Sequence, residues 1–103
     1  MTGEIVPLPP VPSLDFLQKK IPELAQDTRN IEFDHPHFKE RMEKRNLSMR
    51  QVLECLREGV IVSGPKKDQW GDWRVKLQRY VAGRRVQVVV AWKGNHLVVV
   101  TAI

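Results

Sequence analysis

WRVKLQRYVAGRRVQVVVAW, residues 73–92, decides the fold. Up to Val81 it alternates. Trp73, Val75, Leu77 and Val81 share one parity, and Arg74, Lys76, Gln78 and Tyr80 share the other. That two-residue period predicts a strand with one face packed and the other polar and basic. Gly83-Arg84 marks a tight connection to a second β-rich run over 86–92, and Gly94-Asn95 a connection to a third over 97–103. Three such runs joined by short turns predict an antiparallel meander. Upstream, residues 60–63 read as a short strand and GPKKDQWGD, residues 64–72, as a loop. The runs over 86–92 and 97–103 are apolar on nearly both parities, so something must cover part of the second sheet face. The candidates are the acidic N-terminal segment folded back, or a partner chain.

Before residue 60 the period is helical. Ser48 to Gln51 matches a capping box, Met49, Val52, Leu53 and Leu56 form an apolar stripe, and Gly59 ends the helix. Asp34 is expected to cap the preceding helix, with Pro36 in its first turn and Asn46 closing it in the left-handed conformation. Further upstream, Ser13 can cap a helix from Leu14. Pro22 is expected to stop it near Lys20 and start a second turn. Residues 1–12 read as a proline-rich flexible lead, residues 13–34 as an acidic helical extension, and residues 35–103 as a basic α+β domain. The expected fold class is α+β, with helices packed on one face of a curved antiparallel sheet of three to four strands.

Composition bounds the function. The chain has 103 residues, net charge +5 and a single cysteine, Cys55. One small domain is expected, with no intramolecular disulfide and a reducing, cytoplasmic setting. No run approaches the ~18 apolar residues of a membrane span. The acidic, proline-rich start lacks a secretory signal's basic and apolar regions. Residues 1–34 hold three basic and six acidic residues, net −3, and residues 35–103 hold fourteen basic and six acidic, net +8. Such a field attracts a polyanion.

The motifs narrow the chemistry. His37, Arg41 and Arg45 recur every four residues on the helix in DHPHFKERMEKRNLS, residues 34–48. An imidazole exchanges protons near neutral pH, and neighbouring guanidinium groups stabilise developing phosphorane charge, which RNA cleavage by the 2′-hydroxyl requires. The competing reading is a solvated ridge paired with Glu40 and Glu43. Trp70 and Trp73 stand beside Lys66, Lys67 and Arg74, an arrangement that either stacks bases and binds phosphates or pins a loop to the core. His35, His37 and His96 lack metal-ligand spacing, so neither a metal nor another cofactor is expected. Cys55 is expected to pack rather than react. No glycine-rich phosphate loop, serine-hydrolase elbow or paired-carboxylate pattern occurs.

From HFKERMEKRNLSMRQVLECLREGVIV through GDWRVKLQRYVAGRRVQVVVAW to LVVVTAI, the chain resembles the domain of unknown function 4258 family, and the resemblance covers residues 35–103. The carrying pattern is H-x-x-x-R-x-x-x-R on a helix, a helix ending in Gly before a strand, a G-D-W-R strand entry, a G-R-R hairpin and a closing V-x-T strand. The resemblance implies a fold similar to small ribonuclease toxins of the RelE and BrnT type. It implies functional positions at His37, Arg41, Arg45, Arg74, Arg85 and Thr101, and supplies no agreed mechanism.

Together these readings predict an RNA-binding, metal-independent endoribonuclease, the toxin half of a toxin–antitoxin pair. His37 would transfer the proton, and Arg41 and Arg45 would stabilise charge. Arg74, Lys76, Tyr80, Arg85 and Thr101 would hold RNA, such as ribosome-associated mRNA. An acidic antitoxin-like protein is the expected partner, and no membrane is involved. The alternative is a non-catalytic module that binds a protein through its exposed sheet face.

Overall fold

Ser13 accepts the Phe16 amide at 3.0 Å and so caps α1 (Leu14–Ala25). The structure, a computed structural model, describes residues 11–103. The proline-rich lead, up to residue 10, lies outside the described residues. Contrary to the sequence expectation, α1 runs unbroken through Pro22. An interior proline costs about 3 kcal/mol. Ile21, Leu24 and Ala25, all buried, offset it at ~1.5–3 kcal/mol for each large side chain. The free carbonyls of the last turn also find donors, Arg57 Nε bonding Ala25 O at 2.7 Å and Asn30 Nδ2 bonding Leu24 O at 3.1 Å.

A single 3-10 turn leads into β1 (Ile31–Glu32), α2 (Pro36–Arg45), α3 (Met49–Glu58), β2 (Val60–Lys67), β3 (Trp73–Val81), β4 (Arg84–Trp92) and β5 (Leu97–Ala102). The fold is α+β, but its sheet corrects the expectation of three to four antiparallel strands. There are five, in the order β1-β5-β4-β3-β2, and β1 pairs with β5 in parallel. Two residues are too few to show a period, and β2 continues past the Gly64-Pro65 dipeptide that reads as a breaker.

Alternation assigns the faces as expected. Val75, Leu77, Val86, Val88, Val90, Leu97 and Val99 point to the helices, joining Leu17 and Ile21 of α1, Phe38 of α2, and Val52, Cys55 and Leu56 of α3 in one core. Burial pushes the Cys55 thiol up to about 12, which suits a packing role. Arg79 falls on this side too, and its guanidinium meets Glu54 at 3.4 Å and Glu58 at 3.0 Å on α3. Residues 13–34 thus complete the helix side of the core and the sheet edge. On the opposite, outer face a small second cluster forms from Ala91, Val98 and Val100, with Val89 beside it.

The turns follow their residues. Asn46 takes φ 51°, and the Ser48–Gln51 capping box is complete. His35, not Asp34, caps α2: its Nδ1 accepts the His37 amide at 3.2 Å, and Pro36 fills the first helical position. Gly59 has ordinary dihedrals but no room, since a Cβ there would lie 2.3 Å from the Cys55 carbonyl oxygen. The β3–β4 hairpin turns on Ala82 and Gly83 with φ 53° and 78°. A left-handed alanine is disfavoured by roughly 1 kcal/mol. Ala82→Asn should therefore raise stability by about 0.5–1 kcal/mol. A shifted urea midpoint with unchanged slope is the expected reading, and an unchanged midpoint would show that the turn imposes no strain.

Candidate functional site

Strand register puts Arg74, Lys76 and Arg85 of the hairpin on the outer face, while Arg79 and Arg84 fall on the helix side. Arg74 pairs with Ala91 and Ala91 with Val98; Lys76 pairs with Val89 and Val89 with Thr101; Tyr80 pairs with Arg85. Directly paired residues point the same way. Arg74, Lys76, Tyr80, Arg85 and Thr101 therefore share one surface. It is a long one: six residues of strand separate Arg74 from Tyr80, about 20 Å. Tyr80 and Arg85 are exposed at the hairpin end, while Thr101 is half-buried.

The loop over residues 68–72 folds over the other end of this face, and Asp68 shapes it. Its Oδ1 accepts the amides of Trp70 and Asp72, both at 2.9 Å, and its Oδ2 accepts Arg74 Nε at 2.8 Å. Burial alone would raise the Asp68 carboxyl, but the two amides and the guanidinium outweigh it and hold it below the ordinary carboxylate range. Asp72 meets Lys93 at 2.9 Å, a bond that raises the lysine against its desolvation. Trp70 is left 67% exposed, with the Arg74 guanidinium carbon 5.7 Å from its ring centre. The reading of Trp70 as a core anchor is thereby excluded. Trp73 is half-buried, with Lys67 Nζ 5.7 Å from its ring.

Because the Asp68 carboxyl titrates lower folded than unfolded, its contribution to loop order is full above the unfolded value near ~3.9 and is lost as pH falls through the folded one. Trp70 fluorescence should accordingly hold constant from neutral pH to about 4 and change only below it. Asp68→Asn should remove that low-pH transition; its survival in the variant would assign it to another carboxyl.

Two adjoining clefts, each of about 420 Å³, open between this loop and the β1/β5 edge. Asp68, Trp70, Arg74, Val100 and His35 line both; Glu32, Asp72, Lys93 and His96 add their charged and imidazole groups to one, and His37 its imidazole to the other. The helix start reaches the outer face because α2 packs along β5, anchored by Phe38. The His35 and His37 rings stand 6.5 Å apart, edge to face. With Nδ1 accepting, a neutral His35 carries its proton on Nε2.

The structure thus brings His37 and Arg74 together. Arg41 and Arg45 do not line these clefts. They run along α2, whose eight-residue advance from His37 to Arg45 is about 12 Å. Arg45 lies at the far end, where Arg84 bonds the carbonyls of Arg45 and Asn46. His37 Nδ1 is 3.9 Å from Glu40, and Glu40 also meets Lys44 at 3.5 Å. Sequence reasoning did not assign Asp68, His35, Lys93 or His96 to the site. Asp68 alone carried a signal, as an Asx-turn residue ahead of Trp-Gly. Among the described residues no group of three or more His, Cys, Asp or Glu is placed to hold a metal ion, and no helix is long and apolar enough to cross a membrane.

Residues 35–103 match the family described as Domain of unknown function (DUF4258). The match spans two thirds of the chain. The chain belongs to this family. No curated protein and no solved structure matches it. Within the DUF4258 region lie α2, α3 and strands β2 to β5, and with them the cleft residues named above except Glu32; α1 and β1 precede it.

Proposed function

We propose that the outer sheet face binds RNA and that its histidine-lined end cleaves the RNA backbone, as small ribonuclease toxins of the RelE and BrnT kind do. The observation that carries this reading is the exposed Trp70 set against Arg74, on a cationic sheet face bordered by His35 and His37. An exposed indole stacks on any unpaired base, and a guanidinium beside it binds phosphate bidentately. His37 takes the proton as the 2′-oxygen attacks phosphorus. The bond to the 5′-oxygen breaks, solvent protonates that oxygen, and the products are a 2′,3′-cyclic phosphate and a 5′-hydroxyl. Arg74 holds the equatorial oxygens, and Arg41 and Arg45 extend a cationic ridge for flanking phosphates. Thr101, Lys76, Tyr80 and Arg85 continue the track towards the hairpin.

As a toxin in the cytoplasm, the protein would act on RNA such as ribosome-bound mRNA and be held by an acidic antitoxin covering the same basic face. Binding through several phosphates should weaken tenfold or more between ~50 and ~200 mM salt. Fluorescence anisotropy with a labelled RNA checks this, and a flat salt response contradicts it. The second reading, a non-catalytic protein-binding module, is favoured by Val60 and Val62, which are 61% and 49% exposed on edge strand β2. A partner captured there would show little salt dependence.

A further inference from the structure

Beside the histidine clefts, on the far side of Arg74, lies a third cleft of about 300 Å³, lined by Ser63, Lys66, Lys67 and Lys76 beside Val89 of the outer face. Two consecutive irregularities in β2 build it. Ile61 pairs with Leu77, Ser63 with Lys76, and Lys66 with Arg74, so Val62-Ser63 oppose one residue of β3 and Gly64-Pro65 oppose another. In an unbroken strand Ile61, Ser63 and Lys67 would share the core-facing parity, and Lys66 would stand opposite to Ser63. The first bulge turns Ser63 to the outer face. The second brings Lys66 to the same face, beside Lys76 and Arg74. Gly64 is fitted to this path, with φ 96° and a Cβ position 2.5 Å from the Arg74 carbonyl oxygen.

The charge balance of this cleft is one-sided. Its only carboxylate is Asp68, already engaged by two amides and Arg74. Among the described residues, neither Lys66 nor Lys76 has a carboxylate partner. Two unpaired ammonium groups and a hydroxyl beside an apolar side chain suit a phosphate with its sugar against Val89. We propose that the cleft at Ser63, Lys66 and Lys76 is a second phosphate subsite, so that Arg74 stands between two phosphates of one single-stranded chain. This rests on the RNA reading of the same face. It adds a minimum length to the ligand and a direction to its path, from the histidine clefts past Trp70 to the β2 bulges.

The test uses the full chain and uncleavable 2′-O-methyl oligouridylates holding one, two or four phosphates, with amide chemical shifts for the shortest and anisotropy for the longest. Wild-type affinity should rise at least tenfold from one phosphate to two or more. Ser63→Ala/Lys66→Ala should abolish that gain, leave the one-phosphate affinity unchanged, and reduce the salt slope for the longest chain by about 0.7. Both residues are exposed, and an unchanged melting temperature checks that the variant is folded. If the variant weakens the one-phosphate and longer ligands equally, or weakens neither, the subsite is wrong while RNA binding stands. If the wild type binds none of the oligonucleotides, the RNA reading fails and the subsite with it.

Discussion

Deleting residues 1–30 should leave a chain without a cooperative melting transition, although the family match begins only at residue 35. Helix α1 puts Leu17 and Ile21 at 0% exposure and Leu24 at 8%, all within the same core as the sheet. At ~1.5–3 kcal/mol each they contribute about 5–9 kcal/mol. That is of the order of the ~5–15 kcal/mol that holds a whole small domain together. The loss goes beyond apolar area. Gln18 donates to Gly59 O at 3.0 Å and accepts the Ile61 amide at 2.8 Å, so deletion also frees two backbone groups at the start of edge strand β2. The truncated chain should bind an apolar-surface dye and precipitate on warming. Ile21→Ala, which keeps the helix, should cost about 2–5 kcal/mol. A truncated protein melting cooperatively within a few degrees of the full chain would show that α1 is a tether, contrary to the shared core.

Replacing His37 by alanine should slow RNA cleavage by roughly 10²–10⁴-fold, the usual range for a lost general base. The same variant should melt within about 1 kcal/mol of wild type, because His37 is exposed at the helix start and buries little. Its neighbour gives the contrast. His35 caps α2 through Nδ1, so His35→Ala should lose ~1 kcal/mol of stability along with any effect on rate. Arg41→Ala should lower turnover more than affinity if it stabilises developing charge, and affinity more than turnover if it only follows the strand. Melting temperature read beside cleavage rate on the same preparations separates these outcomes. Wild-type cleavage by His37→Ala would remove it from the chemistry.

How far the sequence discloses this arrangement depends on whether a feature is local. The capping box at Ser48, the left-handed Asn46 and the alternation of residues 73–81 are each written in neighbouring residues and appear in the structure as read. Strand β1 is not. Its two residues pair with β5 across more than sixty positions of chain, and no short-range pattern specifies that. Pro22 and Gly64-Pro65 misled for one reason: each breaks a local rule where tertiary burial or a bulge compensates. At the site, periodicity put Arg74, Lys76 and Tyr80 on one face, and register adds Arg85 and Thr101. Convergence of His35 and His37 with Arg74 depends on where α2 docks against β5, which no spacing along the chain can state.

The most direct measurement of the central claim incubates purified full-length protein with 5′-labelled single-stranded RNA in EDTA at ~50 and ~200 mM salt, following both binding and products. The geometry predicts binding that falls at least tenfold across that interval. It also predicts fragments ending in 2′,3′-cyclic phosphate, with Trp70→Ala weakening binding and His37→Ala abolishing fragments without weakening it. Salt-insensitive binding, or intact RNA with wild type and His37→Ala alike, would contradict it.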